Sequence, residues 1–332
     1  SARPQADALS PHAALPIGAT YREPKQIYYP CGCNASQKAA VEAALTHQVS
    51  IIQGPPGTGK TQTILNIIAN LLLADKTVLV VSNNNSAVEN VAEKLAGENL
   101  DFIVAKLGSV QNKEAFIANQ PDYPDMSDWA IEEEPVKKQA QDLLHAVTQG
   151  FDSQTRQAQL KAEYDALLKE TKYNDMLQQK SVGKKWLDGK RSSQLMKLLN
   201  LYKLKIEDRP KPDLGFRLKW TFSLGTRMFS FLGGKPSEVV ASLESAYYVS
   251  RKTEIEQELD AIVTTLQSID IKRCTTELRS ASLLVLKSRM AKRYQGSERR
   301  KFTIKDIKPK TEEFLKEYPV VLSTTYSAKS CI

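Results

Sequence analysis

One octapeptide carries the residues best suited to bind a polyphosphate. Residues 54–61 read GPPGTGKT and match the pattern G-x-x-x-x-G-K-[ST] in full. Glycines at this spacing let successive backbone amides curl around phosphate oxygens, and the following helix would present its positive end to them. The lysine would reach the β- and γ-phosphates, and the last threonine hydroxyl would ligate Mg²⁺. The spacing predicts a nucleotide-binding loop made of Gly54, Pro55, Pro56, Gly57, Thr58, Gly59, Lys60, Thr61 and Gln62, with Thr61 as the Mg²⁺ ligand.

Alternating strand and helix patterns surround this loop. An apolar, β-branched run at 49–53 precedes it, and two similar runs follow at 77–82 and 101–108. Apolar residues at helical spacing fill 63–73, and 86–95 reads as a crossover helix. This β-α-β-α-β order predicts a parallel sheet covered by helices on both faces, with 49–53 as one of its buried strands.

A region of about two hundred residues without this rhythm follows. Segments 135–180 and 236–293 are long, polar and helix-favouring. In the second segment, five apolar residues follow the 4-3-4-3 spacing of a coiled-coil seam: Ile255, Leu259, Ile262, Leu266 and Ile269. A shorter stripe in the first segment consists of Leu160, Tyr164, Leu167 and Leu168. These patterns predict the two arms of an antiparallel helical hairpin, with a compact head at residues 184–235.

Two short segments hold the excess positive charge of the chain, whose net charge is +8. Residues 184–235 have a net charge of +9, and residues 287–310 one of +8. Such blocks suit phosphate backbones, because neutralised phosphates release condensed counterions, but they also suit a solvated basic surface. The head contains seven aromatic residues: Trp186, Tyr202, Phe216, Trp220, Phe222, Phe229 and Phe231. These rings favour the core of a small subdomain, with a base-stacking surface as the alternative.

The parallel-sheet pattern returns near the end of the sequence. Residues 319–327, PVVLSTTYS, form an apolar β-branched run that turns polar, as a strand does at the active edge of an α/β sheet. The helical region is therefore expected to be an insertion between strands of one sheet. The expected organisation is a lead-in over 1–33, the first part of an α/β domain over 34–108, the insertion over 109–313 and a return to the domain over 314–332.

Composition excludes several classes of protein. Hydrophobic residues make up 41% and charged residues 25% of the chain, as in ordinary globular proteins. The longest apolar stretch, 64–74, is shorter than the ~20 residues that a bilayer span needs, so no membrane partner is expected. Four cysteines, Cys31, Cys33, Cys274 and Cys331, are too scattered for a disulfide framework, and they lack a zinc-type spacing with the 3 histidines. A reducing, cytoplasmic setting fits this cysteine usage.

The residues around the loop resemble those of superfamily 1 helicases, which are AAA-type P-loop ATPases. NASQKAAVEAAL at 34–45 and VSNNNSAVENV at 81–91 flank this Walker A loop as in the branch that contains the nonsense-mediated-decay RNA helicases and their bacterial relatives. The resemblance implies an incomplete RecA-like P-loop sheet, ATP and Mg²⁺ as cofactors, and single-stranded DNA or RNA as a partner. It also implies that Gln37 reads the adenine edge, although Asn34 and Gln37 fit a helix-capping pair as well.

Two polar segments match family motifs that lie near the nucleic-acid path. Ser82, Asn83 and Asn84 follow the second strand of the pattern. Ser323, Thr324 and Thr325 lie in a segment similar to the motif that precedes the Walker B strand. Small polar side chains and loop amides can bind phosphate and sugar without reading sequence. The alternative for the first segment is that it only caps the helix that follows.

One feature of the family is missing from this sequence. The family places an Asp-Glu pair on the strand after the Ser-Thr-Thr motif, and no apolar run followed by such a pair occurs here. We therefore expect the N-terminal part of a longer enzyme, with no catalytic residue of its own, which binds nucleotide without turnover. Two functions stay open at this point. One is a helicase or translocase whose head grips the nucleic-acid backbone, and the other is an ATP-gated interaction protein whose helical arm docks a protein partner without unwinding.

Overall fold

The structure, a computed structural model, describes residues 14–20, 26–177, 185–187, 189–208 and 211–328. The chain divides into two compact units. The first, called here the sheet unit, comprises Ser1–Phe151 and Asp270–Ile332, and the second, called the helical unit, comprises Asp152–Ile269. The sheet unit thus includes much of the sequence on either side of 152–269 that the pattern assigns to the insertion.

In the part of the sheet unit that the structure describes, five strands form two separate sheets. β1 (Ala14–Thr20) and β2 (His47–Ile52) pair antiparallel. β3 (Val78–Ser82), β4 (Val104–Lys106) and β5 (Val320–Thr324) form a parallel sheet in the order β3-β5-β4. The last strand in the sequence therefore lies between two strands from its first third, as expected for strands separated by a long insertion. The fold is α/β, with an incomplete RecA-like P-loop sheet in a mostly helical chain.

The helices, in chain order, are α1 (Ala35–Thr46), α2 (Lys60–Leu73), α3 (Asn85–Ala96), α4 (Val110–Ala118), α5 (Glu133–Leu177), α6 (Ser192–Asp208), α7 (Leu214–Leu224), α8 (Met228–Phe231), α9 (Pro236–Ser268), α10 (Ile271–Tyr294) and α11 (Thr311–Glu317). The crossover helix expected at 86–95 is present as α3. None of the helices in the described residues combines the length and apolar character that a membrane span requires.

The strand before the glycine-rich loop differs from the expectation. The sequence predicts 49–53 as a buried strand of the parallel sheet, but β2 pairs with β1 and is not hydrogen-bonded to β3. Val49 and Ile51 are each 51% exposed. The physical reason is that a β-branched run specifies an extended backbone without specifying its partner, and β1 supplies the hydrogen bonds that this backbone needs.

The main core of the sheet unit lies between the parallel sheet and its helices. Leu65, Ile68 and Leu72 of α2 are at most 5% exposed and pack with residues of α3 and β5. Met290 and Tyr294 of α10 belong to the same cluster, so α10 covers part of this core. Burial of these side chains supplies the main driving force for holding α2, and the loop at its start, against the sheet.

The helical unit contains the hairpin and the head. Within it, α5 and α9 run antiparallel, because Arg156 binds Glu258 at 2.6 Å while Glu163, further along α5, binds Arg251 at 2.6 Å. Leu160 is fully buried against the α9 seam residue Ile255, and Tyr164, Leu167, Leu259 and Ile262 belong to the same cluster. A helical hairpin is thus present, and its coiled-coil character stays a prediction.

The second predicted arm is two helices rather than one. The sequence predicts a helix-favouring arm over 236–293, and within this range α9 ends at Ser268 and α10 begins at Ile271. The side chain of Asp270 accepts a hydrogen bond from the backbone amide of Arg273 at 2.9 Å and so caps α10. An aspartate at this position stabilises a new helix start, which the seam spacing alone does not reveal.

The aromatic residues of the head form mainly a core. Tyr202 and Trp220 are at most 5% exposed, and Trp186, Phe216 and Phe231 pack against the same cluster. Phe229 lies under the guanidinium of Arg217, whose Cζ is 4.0 Å from the ring centroid. Phe222, by contrast, is 88% exposed. The interpretation of these rings as a subdomain core is therefore confirmed for most of them.

Candidate nucleotide-binding site

The glycine-rich loop turns the chain sharply into α2. Gly57 has a φ of 81° and Gly59, the N-cap of α2, has a φ of 83°. Both values lie in the left-handed region, which only glycine adopts without strain. The Thr58 hydroxyl donates to the carbonyl of Pro55 at 2.7 Å and holds the turn between them. Successive backbone amides in such a turn, together with the amides at the start of a helix, can form an anion-binding concavity.

Lys60 is exposed and lies along its own loop. Its Nζ donates to the carbonyl oxygens of Gly54 at 2.6 Å and Pro55 at 2.8 Å. These carbonyls hold the ammonium group at the loop, where an incoming phosphate would exchange for them as the stronger, charged acceptor. The lysine expected from the sequence is therefore at the loop, with partners that a phosphate can replace.

Gln37 links the start of α1 to this loop. Its Oε1 accepts from the amide of Asn34 at 3.0 Å, while Asn34 Oδ1 accepts from the amide of Gln37 at 2.9 Å. This reciprocal pair is the capping box expected as one interpretation of Gln37. Its Nε2 donates to the carbonyl of Thr58 at 3.1 Å and to Oε1 of Gln62 at 3.3 Å. Both ends of the carboxamide are therefore engaged within the chain, and its contact with adenine stays a prediction.

Two buried asparagines, which were not predicted from the sequence, fix the segment that precedes α1. Asn66 accepts from the amide of Cys31 at 3.0 Å and donates to the carbonyl of Gly32 at 2.8 Å. Asn70 accepts from the amide of Tyr28 at 2.8 Å and donates to its carbonyl at 2.7 Å. In the sequence, the sign of this role is a pair of asparagines four residues apart in the otherwise apolar stretch 64–73 of α2, because such amides need partners when buried.

Burial keeps the two cysteines of this segment protonated. Burial raises the pKa of the Cys31 thiol to about 11 and that of the Cys33 thiol to about 12. Both therefore stay protonated at neutral pH, whereas the thiolate is the metal ligand. In the described residues, no group of three or more His, Cys, Asp or Glu could hold a metal ion. Thr61 lies in the first turn of α2, and its role as an Mg²⁺ ligand stays a prediction. Mg²⁺ is usually bound by few protein ligands and by substrate phosphates.

The structure brings the two polar segments together at one edge of the parallel sheet. Ser82 at the end of β3 is the register partner of Thr324 at the end of β5. The Thr325 hydroxyl donates to the side-chain oxygen of Asn83, which joins the two loops. Asn84 caps α3 by accepting from the amide of Ser86 at 3.0 Å. The capping role is therefore present, and the contact of this segment with nucleic acid stays a prediction.

The remaining members of this edge differ in accessibility. Ser323 is 1% exposed, whereas Asn83 and Thr325 are exposed. The adjacent Tyr326 is 93% exposed, and the sequence analysis does not single it out. In the sequence, its position directly after the Ser-Thr-Thr run could have indicated it as a candidate. An exposed ring beside small hydroxyl and amide groups has the chemistry to stack a base while its neighbours bind phosphate or sugar.

Comparison with known proteins identifies similarity over nearly the whole chain. The model of a family described as AAA domain matches residues 32–332. The DNA polymerase alpha-associated DNA helicase A of Schizosaccharomyces pombe is 40% identical over 77 residues, which are 23% of this chain and 12% of that protein. The Regulator of nonsense transcripts 1 homolog of Drosophila melanogaster is 46% identical over 71 residues, or 21% of this chain and 6% of that protein.

A third relative shows the same pattern. The DNA-binding protein SMUBP-2 of Rattus norvegicus is 43% identical over 74 residues, or 22% of this chain and 8% of that protein. The alignments with these three relatives thus span at most 12% of the relatives' own length. No solved structure matches the chain.

Proposed function

The chain belongs to the AAA domain family, as a member of the superfamily 1 helicases, and on that premise we propose that it is the ATP-binding front part of a nucleic-acid-dependent motor. In this proposal the chain binds ATP–Mg²⁺ at residues 54–62 and single-stranded DNA or RNA at the edge formed by the ends of β3 and β5. Because the sequence contains no strand followed by an Asp-Glu pair, we propose that these residues bind nucleotide without turnover by themselves.

The observation that carries the proposal is the left-handed turn at Gly57 and Gly59 at the start of α2. This turn points backbone amides and the positive end of a 14-residue helix at one place. Lys60 would add a mobile charge, and the Thr61 hydroxyl would complete the Mg²⁺ shell. ATP supplies the phosphates that fit these donors, and Gln37 stands beside the loop as the proposed adenine contact.

The nucleic-acid part of the proposal is supported by the edge at Asn83 and Thr325. The hydrogen bond between them holds two loops from different strands in a fixed relation. Exposed hydroxyls, amides and the Tyr326 ring there offer sequence-independent contacts, which suit a protein that moves along a strand. Gly108 lies beside this edge, because Thr324 donates to its carbonyl at 3.3 Å.

Nucleotide binding to the 332-residue chain tests the first half of the proposal. Fluorescent mant-ATP with Mg²⁺ is titrated into the unchanged chain, Lys60→Ala and Lys76→Ala. We expect the affinity of Lys60→Ala for mant-ATP to be roughly tenfold lower or more, because one charge-assisted hydrogen bond to a phosphate is lost. Lys76 is exposed and lies in the turn between α2 and β3, so Lys76→Ala is the matched control. Equal affinity in all three proteins would contradict the proposal.

Oligonucleotide binding tests the second half. Anisotropy of labelled dT20 and rU20 is measured with Tyr326→Ser and with Phe222→Ser, which removes an equally exposed ring from the head. Loss of one stacked base predicts a roughly 5- to 150-fold weaker affinity for Tyr326→Ser. The alternative function, an ATP-gated interaction protein, predicts mant-ATP binding that depends on Lys60 together with no binding of either oligonucleotide.

A further inference from the structure

The head of the helical unit contains a small pocket outside the nucleotide loop. Its volume is about 350 Å³. The short helical turn at Lys185–Leu187, helix α8 and the first turn of α9 surround it. A volume at the lower end of the ~300–1,000 Å³ range of ligand pockets suits a ligand of the size of one nucleotide.

One side of the pocket is aromatic. Trp186 and Phe231 line it, and their ring centroids are 5.5 Å apart with an interplanar angle of 89°. In such an edge-to-face pair the two rings do not stack on each other, so the pair itself leaves ring faces on which a planar ligand could stack. Both side chains are half-buried, because they also pack against the core of the head. The core fixes their orientation, which lowers the entropy lost when a ligand stacks on them.

The other side of the pocket is cationic. Arg227 and Lys235 line it and are exposed, and the hydroxyl of Ser230 lies beside them. Arg227 makes no ion pair with a carboxylate of the described residues. The single acidic residue of the lining, Glu238, is 3.6 Å from the ammonium of Lys235, and both side chains are at least 70% exposed. An ion pair in solvent is weak, so it can yield to a phosphate.

We propose that this pocket binds one phosphate–base unit of a single-stranded nucleic acid, with the base against Trp186 and the phosphate against Arg227 and Lys235. The surrounding segment 184–235 carries a net charge of +9, which favours a polyanion over an isolated phosphate group. An acidic peptide would match the charges but not the ring pair. This inference rests on the proposed function, because both assume that the bound polymer is a nucleic acid. It adds a second contact with that polymer, in the helical unit.

Tryptophan fluorescence of the full chain provides a readout at the pocket itself. Trp129 and Trp220 are 8% and 5% exposed, so Trp186 is the tryptophan that a ligand can reach. We expect dT20 or rU20 to quench the emission, and we expect this quenching to be absent in Trp186→Leu. Affinity should fall roughly 5- to 150-fold in Trp186→Leu. Arg227→Gln, an exposed substitution that leaves the core intact, should reduce the slope of log affinity against log salt by about 0.7.

Lys219→Gln is the matched control, because Lys219 is an exposed cation of the same head that does not line the pocket. Anisotropy measured in parallel separates the failure of this inference from that of the proposed function. Two results would overturn the proposed pocket site and leave the proposed function intact. One is oligonucleotide binding with the same quenching in Trp186→Leu, and the other is an identical salt slope for Arg227→Gln and Lys219→Gln. The absence of any oligonucleotide binding would overturn both. Quenching by AMP without binding of either oligonucleotide would overturn the assignment to a strand.

Discussion

Gln37 Nε2 donates a hydrogen bond to the carbonyl oxygen of Thr58 at 3.1 Å and thereby ties the first helix to the glycine-rich loop. The same carboxamide closes the space above Gly59, where an added Cβ would overlap it. At Gly57 the corresponding position is open, with no atom within 4 Å. The two glycines therefore differ in surroundings although both have a positive φ.

This difference predicts unequal effects of alanine at the two positions. Gly57→Ala should cost about 1–2 kcal/mol from the left-handed backbone alone. Gly59→Ala should cost more, because the methyl group also displaces Gln37, and it should weaken mant-ATP binding by roughly tenfold or more. Urea unfolding and mant-ATP titration measure the two effects. Adding Gln37→Ala to Gly59→Ala should recover part of the extra stability loss, and equal losses in both single variants would contradict the overlap.

Asn66 should be more important for stability than its polar character suggests. It is fully buried and satisfies one amide and one carbonyl of the segment before α1. Asn66→Leu leaves both groups without a partner, so we expect a loss of about 2–4 kcal/mol in the free energy of unfolding. Asn90→Leu, on the exposed side of α3, should change it by less than about 0.5 kcal/mol. A similar small effect for both would show that water replaces the lost amide.

Arg299 lies in the basic segment 287–310, yet its side chain is only 5% exposed. Its guanidinium is 4.6 Å from the ring of Tyr123 and 4.3 Å from that of Tyr318, and it donates to the carbonyl of Phe102. Arg299→Met should therefore destabilise the chain by about 3 kcal/mol or more, since Glu317 loses its buried cation. Calorimetric melting compares it with Arg300→Met, whose side chain is 63% exposed. A loss in Arg300→Met as large as that in Arg299→Met would argue against this packing role.

Glu133 should make stability depend on acidic pH. Burial alone would raise its pKa, but hydrogen bonds from Lys137, Lys292 and Ser288 outweigh it and lower the pKa from 4.5 to about 2. A carboxyl group with a depressed folded-state pKa stabilises the protein above its unfolded pKa, and this contribution is lost as pH falls from 4.5 towards 2. Urea unfolding at several pH values should show this loss as a fall in the free energy of unfolding. Glu133→Gln should make that free energy less dependent on pH. Glu134→Gln, at an 88% exposed side chain, should leave the profile unchanged.

The sequence by itself determined the features that depend on local spacing. The octapeptide at 54–61 specifies a turn that glycine adopts most easily, and the structure has left-handed Gly57 and Gly59 directly before α2. The strand at 77–82 and the crossover helix at 86–95 also follow from local periodicity. The expected burial of both faces of that strand was wrong, because Leu79 and Val81 of β3 are 43% and 44% exposed. The membership of 77–82 and 319–327 in one parallel sheet was expected from their apolar, β-branched runs, whereas the direct pairing of β3 with β5 was not predicted.

Tertiary structure alone decided the features that depend on which distant groups meet. The apolar pattern of β2 did not specify β1 as its partner, and the seam of α9 did not reveal the cap at Asp270. In the head, Trp220 lies in the core and Phe222 faces solvent. This difference depends on how the other helices of the head pack. The same holds for Arg299, which belongs to a basic segment in sequence but is enclosed by Tyr123 and Tyr318 in space. Spacing along a chain constrains neighbours within a few residues, whereas burial, pairing and ion contacts are set by residues that only the fold brings together.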